Sequence, residues 1–381
     1  MDFELSARQK QIRQAAREFA EGMFPKFIEE CDLHETFPMD LWRKACELGF
    51  IGVFIQRDYG GLGLGFLENA LIAEEFWRVD PGCGNIILTT LGSEFILLYG
   101  SEEQKKRYLP LLPKGKAIMG MAITEPDVGS DVSSVRTLAK KVEDHYVING
   151  NKMYITNGTI ANFLVVFCLT SEEGSRYKRH SAIIIETDRK GFEAIKLKRK
   201  LGTRASETAE LRFVNVEVPK ENLIGSQEGE GFQQLMGVFN RTRITVAAQG
   251  VGIAQGGLEK ALKYSKERKQ FGSPIASFQA IQFKLAEMVT LIEAARCLYY
   301  KAAWMADHGK IDPKFMSIAK WYAGEVAVKV VDEVLQIHGG YGYLGESGIE
   351  RLYRDAKIVE IVEGTKEIEK MIIARELLGR F

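Results

Sequence analysis

The chain has 381 residues, 46% of them hydrophobic, which is enough to bury a sizeable core and, by length, to build two or three compact units. Its 51 basic and 51 acidic residues cancel, so no net field draws it to a polyanion or an anionic membrane surface, and nucleic acid is not an expected partner. Five cysteines (Cys31, Cys46, Cys83, Cys168, Cys297) are odd in number and lack CxxC spacing, and the five histidines do not cluster, so free thiols in a reducing compartment are expected, with no disulfide framework and no metal site.

The opening stretch MDFELSARQKQIRQAAREF lacks a basic region followed by an apolar one. No run is read as approaching the roughly 20 apolar residues of a membrane helix, and a soluble, cytoplasmic protein without membrane contact is expected. From Phe3 to about Pro113 the periodicity is helical: Leu5, Ile12, Ala16 and Phe19 first, then PMDLWRKACELGF, then LENALIAEEFWRV after the glycine-rich YGGLGLG. From about Ala117 it becomes β-like. HYVINGNKMYIT places Asn149-Gly150 between two β-rich runs and predicts a hairpin there, and NFLVVFCLT, SAIIIET and AELRFVNVEVP predict further strands. After NLIGSQEGEGF helical periodicity returns, over 231–268, 278–307, 313–338 and 348–379. The order helix, β, helix predicts an α+β protein of three domains, residues 1–118, 119–228 and 229–381.

Several short motifs have a plain structural reading beside a functional one. GYGYLG, Gly340 to Gly345, matches a dinucleotide fingerprint literally, but the segment before it is helical, so a helix-ending turn is expected. TEPDVGSD reads as a capped solvent turn whose hydroxyls and free N–H groups also suit a polar ring or a phosphate. KERKQFG reads as a basic helix end, and Arg243 in NRTR as one partner of a surface salt bridge. In AKIVEIVEGTKEIEKMII, Gly364 breaks one helix and Thr365 caps the next, leaving Glu363 near the carbonyl end of the first, where a negative charge is disfavoured.

Together MAITEPDVGSDV, NGNKMYITNG, ERKQFG, QIHGGYGYL, RLYRDAKI and VEGTKEI occur in the order and spacing of the acyl-CoA dehydrogenase family, and the resemblance covers essentially the whole chain. It implies an N-terminal helical domain, a middle β domain and a C-terminal four-helix-bundle domain, with FAD bound between subunits of a homotetramer, a dimer of dimers. It implies oxidation of an acyl-CoA thioester to the α,β-enoyl-CoA, with Glu363 as catalytic base, hydride passing to flavin N5 and electrons to an electron-transfer flavoprotein. By the same resemblance Met121, Ile123, Thr124, Gly129 and Ser130 line the flavin, Ser130 also nearing the thioester, and Tyr154, Ile155 and Thr156 cover its ring. Arg268, Gln270, Phe271, Phe278, Gln279 and the segment Gln336, Gly339, Gly340 correspond to nucleotide contacts from a neighbouring subunit, and Thr365 and Glu367 to further FAD contacts. Asn240, Arg243, Gly364 and Arg375 correspond to positions near the thioester and the CoA arm.

Some branches of the family carry the base at the position of Thr242, which supports Glu363 as the only base here. Tyr154 stands where many members have tryptophan, and Asn240 where many have aspartate. Residues 79–90 lack the arginine of glutaryl-type members, so a dicarboxylate is not expected. Val362 in place of a tyrosine leaves room beside the base and favours a branched or alicyclic acyl group. The alternatives are an oxidase that passes electrons to dioxygen and a non-catalytic flavin-binding scaffold of the same fold.

Overall fold

The computed structural model describes residues 4–379; Phe3, where the helical pattern begins, lies outside the described residues. The first part is helical: α1 (Ala7–Met23), α2 (Ile28–His34), α3 (Met39–Glu47), α4 (Phe66–Val79), α5 (Pro81–Gly84), α6 (Ser93–Tyr99) and α7 (Glu102–Tyr108). A capping box starts α1, with the Ser6 hydroxyl accepting from Gln9 N and the Gln9 side chain accepting from Ser6 N at 2.9 Å. Its buried face carries Ala16, Phe19 and Ala20, and Phe19 packs in an aromatic cluster with Phe24, Phe50 and Phe76. One apolar stretch, Pro81–Tyr99, does have the length and hydropathy of a membrane span, contrary to the expectation of none. It folds as short helical pieces broken at Gly92, whose φ is 99°, and most of it is buried inside the protein.

The middle part is one eight-stranded sheet: β1 (Met119–Ala122), β2 (Leu138–Val142), β3 (His145–Thr156), β4 (Phe163–Leu169), β5 (His180–Glu186), β6 (Phe192–Lys196), β7 (Thr208–Pro219) and β8 (Leu223–Ile224). The order is β6-β7-β3-β2-β4-β5-β8, with β1 parallel to β4. No hairpin forms at Asn149-Gly150. Both residues lie within the continuous strand β3, and the turn comes earlier, between Val142 and His145, where Glu143 takes a positive φ of 52°. Asn149 instead accepts from Asn215 N at 2.9 Å and donates to the Asn215 side chain at 3.0 Å, and the β3–β7 register slips by one residue beside it.

Helices α8 (Gly231–Glu267), α9 (Gln279–Asp307) and α10 (Pro313–His338) agree closely with the periodicity, and a two-residue-turn hairpin of β9 (Lys269–Gln270) and β10 (Ser273–Pro274) links the first two. GYGYLG follows α10 as short 3-10 turns, with no strand before it. The helical span 348–379 is broken before Thr365, as the Gly-Thr pair predicts, but the first helix ends earlier than expected: α11 (Ile349–Ala356) gives way to a 3-10 turn at Lys357–Glu360, and α12 (Lys366–Leu378) starts afresh at its Thr365 cap. Glycines let α8 touch α4 backbone to backbone. A Cβ at Gly252 would fall 2.3 Å from the Glu74 carbonyl oxygen, and one at Gly256 1.9 Å from that of Arg78.

Candidate active site

The site is built where the break before α12 meets the middle of α8. Glu363 adopts the left-handed region at φ 56°, which a non-glycine residue avoids unless its surroundings hold it there, and Gly364 follows at φ 107°. The two consecutive reversals turn the Glu363 side chain onto α8, where the Thr242 hydroxyl donates to its Oε2 at 2.5 Å. Although the residue keeps some open surface, desolvation of its carboxyl group pushes the pKa above the usual carboxylate range; the Thr242 hydrogen bond and the Arg243 charge pull the other way.

Two buried cations hold the loop by its carbonyls. Arg243 Nε donates to the Glu363 oxygen at 3.2 Å, and Lys320 Nζ donates to that of Gly364. Arg243 also pairs with Glu369 at 3.1 Å, both side chains being buried, and donates to Asn240 Oδ1 at 3.2 Å. The salt bridge expected of Arg243 therefore exists, but it lies in the interior rather than on the surface. A Cβ on Gly364 would fall 2.3 Å from Glu369 Oε1, so this position needs glycine for space as well as for φ. Burial lowers the Lys320 pKa to about 8 despite the nearby Glu369. Lys320 and Glu369 were not among the residues singled out from sequence. The signal was present for the lysine, which follows Met316 and Ala319 and precedes Ala323 on the buried stripe of α10.

A second group gathers where β1 leaves the sheet. Met121, Ile123 and Ile155 are buried, Thr124 and Thr156 partly so, and Gly129 and Ser130 lie exposed on the following loop. Met153 N donates to the Thr124 carbonyl at 2.9 Å, and the buried ammonium of Lys152 bonds the Ile123 carbonyl at 2.8 Å and Glu125 at 3.0 Å, fastening the loop to β3. The register shift between Lys152 and Ile155 frees Tyr154, at φ 61° and 67% exposed, to stand off the sheet.

A third group lies at the far end of α8 and α10. Phe271 and Gly272 both take positive φ at the tip of the β9–β10 hairpin, and Phe271 is 95% exposed, touching Phe278 edge-on with ring centroids 6.0 Å apart. Arg268 lies 5.3 Å over the Tyr341 ring. Gln270, Gln279, Gln336, Gly339 and Gly340 are exposed beside them, and a Cβ on either glycine would meet no atom within 4 Å. Among the described residues no hydrogen bond, ion pair or ring contact links this group to the Thr124 and Tyr154 group. Thr365 accepts from Ile368 N as the cap of α12, Glu367 is exposed in its first turn and Arg375 in its last.

Three family profiles match the chain in succession: the acyl-CoA dehydrogenase N-terminal domain over residues 6–116, the middle domain over 120–216 and the C-terminal domain over 229–378. The chain belongs to the acyl-CoA dehydrogenase family. Acryloyl-CoA reductase (NADH) of Anaerotignum propionicum is 43% identical over 383 residues, covering 100% of this chain and 97% of that protein. Among solved structures, butyryl-CoA dehydrogenase from Megasphaera elsdenii superposes with a TM-score of 0.96 at 38% identity, covering 99% of this chain and 100% of that one. A chain in a structure of the electron transferring flavoprotein of Acidaminococcus fermentans superposes at 0.97 and 42% identity, with both chains fully covered. The protein is thus an acyl-CoA dehydrogenase, an FAD-dependent oxidoreductase. Its own residues suit that cofactor: Arg268 has no carboxylate partner among the described residues, and it stands beside two open glycines and a bare aromatic ring, a donor set matched to a dinucleotide.

Proposed function

We propose that this acyl-CoA dehydrogenase removes the α-proton of its thioester with Glu363, that its acyl group is branched or alicyclic, and that its electrons leave to an electron-transfer flavoprotein. The observation that carries the reading is the Glu363 carboxyl group, raised in pKa by desolvation and aimed by the Thr242 hydroxyl at 2.5 Å. A thioester α-hydrogen is too weakly acidic for an ordinary solvated carboxylate, so a base of raised pKa in a fixed position is what the step needs. Arg243 and Lys320, by holding the carbonyls of residues 363 and 364, keep that base from swinging away. Bound FAD would supply the acceptor for the β-hydrogen, taken as hydride. Met121, Ile123, Thr124, Gly129, Ser130, Tyr154, Ile155 and Thr156 would hold its ring, while Thr365 and Glu367 would contact its nucleotide half. Ser130, Asn240, Arg243, Gly364 and Arg375 serve the thioester and the CoA arm.

The same reading divides the cofactor between chains of a homotetramer, so that Arg268, Gln270, Phe271, Phe278, Gln279, Gln336, Gly339 and Gly340 serve a neighbour's FAD. Support comes from the bare Phe271 ring, from exposed Phe283 and Val289 on α9, and from α12, which buries only Glu369 and exposes Met371, Leu377 and Leu378. The Acidaminococcus neighbour supports the electron acceptor. The cysteines, all free, suit the reducing cytoplasm.

Anaerobic rapid mixing of the holoenzyme with a panel of acyl-CoAs tests the proposal through flavin absorbance. Glu363→Gln is expected to fold, keep FAD and bind the thioester, while flavin reduction slows by at least about 10²-fold. Near-wild-type reduction by the variant would remove Glu363 as the base. Turnover supported by dioxygen as well as by electron-transfer flavoprotein would make the protein an oxidase.

A further inference from the structure

A second carboxyl group, within range of the Glu363 charge, takes no part in the chemistry described above. Glu94, on α6, is only 8% exposed, and its Oε2 is buried without a hydrogen-bond partner. The helix follows Gly92, where a Cβ would come 3.2 Å from Met121 Cβ and 3.4 Å from the Gly120 carbonyl oxygen, so the start of α6 is pressed against β1 just where the flavin-lining segment begins. On its other side α6 packs against α8, Gly237 making room for the Tyr99 hydroxyl; Asn240, Thr242 and Arg243 follow on the same helix. Glu94 is near enough to Glu363 and to Arg241 for both charges to act on it.

A carboxyl oxygen that is desolvated and left unpaired is unfavourable, and interiors rarely keep one unless a ligand or water completes it. From its place between β1, α8 and the base, we propose that Glu94 is a specificity-determining residue that hydrogen-bonds a hydroxyl group carried on the acyl portion of the thioester. The inference rests on the reading of Glu363 as the base and adds the polarity of the substrate to it. Desolvation, with the Glu363 charge adding to it, raises the Glu94 pKa to about 7, against the pull of backbone N–H groups of Glu94 and Gly92 and of Arg241. The group is therefore present in both protonation states near neutral pH. A hydroxyl, which donates and accepts through a single atom, is the smallest neutral substituent that satisfies either state. A second carboxylate on the substrate would be repelled by the ionised fraction, in keeping with the absence of an arginine from residues 79–90.

The test compares matched thioesters on the FAD-loaded enzyme: hexanoyl-CoA with 6-hydroxyhexanoyl-CoA, and 3-phenylpropanoyl-CoA with 3-(4-hydroxyphenyl)propanoyl-CoA. For at least one pair the wild type is expected to favour the hydroxylated member by about tenfold or more in kcat/KM, because a site built to bond a hydroxyl rejects the analogue that lacks it. Glu94→Leu is expected to abolish or reverse that preference, improving on the hydrocarbon, and Glu94→Gln to retain most of it. Each ratio is taken within one preparation, so a loss of folded protein cancels. Equal ratios in wild type and Glu94→Leu, with flavin reduction intact, overturn this inference alone. Failure of every thioester to reduce the wild-type flavin overturns the reading of the base and this inference with it.

Discussion

Thr242 and Glu363, 121 residues apart in the chain, meet at 2.5 Å through a hydroxyl and a carboxylate oxygen. In the proposed mechanism Glu363 is the base, and the threonine on α8 serves it, accepting no proton itself and donating to its carboxylate. The threonine hydroxyl donates to the ionised form, so removing it in Thr242→Val must raise the Glu363 pKa further above the ordinary carboxylate range. In the proposed role Glu363 acts when deprotonated. The low-pH limb of the flavin-reduction rate is therefore expected to move to higher pH, with the rate recovering towards its plateau on the alkaline side. A pH profile that falls uniformly without moving would show that the hydroxyl only positions the side chain.

Arg243 and Glu369 form an ion pair whose two side chains are 4% and 0% exposed. Arg243→Met leaves the carboxylate buried beside Lys320 alone, and breaking such a pair costs about 3–5 kcal/mol at neutral pH. Urea unfolding should show the loss as a lower midpoint. Desolvation already raises the folded-state Glu369 pKa, and removal of the arginine raises it again. A raised carboxylate pKa means that the native state takes up a proton before the unfolded state does as pH falls. The deficit should therefore shrink on acidification through the range between the two pKa values. A deficit constant with pH would mean that lost packing, not the unpaired charge, causes it.

Arg268→Ala tests the divided nucleotide site. The guanidinium has a tyrosine ring beneath it and, among the described residues, no carboxylate paired with it, so its removal should matter little to the isolated fold and much to a bound pyrophosphate. The expected outcome is joint loss of FAD and of the larger assembly, read by flavin absorbance and light scattering on one sample. A fully flavinated variant of unchanged mass would assign Arg268 to the surface.

Val362, 36% exposed, directly precedes Glu363. With valine there, branched or alicyclic thioesters should show higher kcat/KM than butyryl-CoA or octanoyl-CoA, and Val362→Tyr should reverse the order. Preference of the wild type for a straight chain over every branched or cyclic substrate would end this reading.

Much of the fold could be read in advance because the helices α8, α9 and α10 and the strands β3, β4, β5 and β7 carry long, uniform periodicities. Strands β2 and β6 could not: LAKKV and FEAIK are short and partly charged, and pairing with β3 and β7 defines them. Asn149-Gly150 misled because local turn chemistry was overruled by a partner strand that supplied Asn215. The break between α11 and α12 was half legible. Gly364 and Thr365 announced it, but the apolar spacing of Ile358, Ile361 and Val362 imitates a helix face in a segment that is 3-10 and turn. At the site, Glu363 stood out by its position beside the Gly-Thr pair. Arg243 stood out too, but as a surface ion-pair partner, and Lys320 did not; the grip of both on the loop carbonyls was hidden because they arrive from separate helices and no local pattern records a contact of that range.

The crossing of α4 and α8 at Gly252 and Gly256 has a mechanical consequence. Where helices meet through side chains, small rotamer changes let one slide over the other; here backbone faces backbone, with no intervening layer to repack. Sliding of α4 over the helix that carries Thr242 would therefore require the two backbones to part at Gly252 and Gly256. Thr242 and, through it, Glu363 are thereby tied to the N-terminal helices by main chain and not by side chains that could repack.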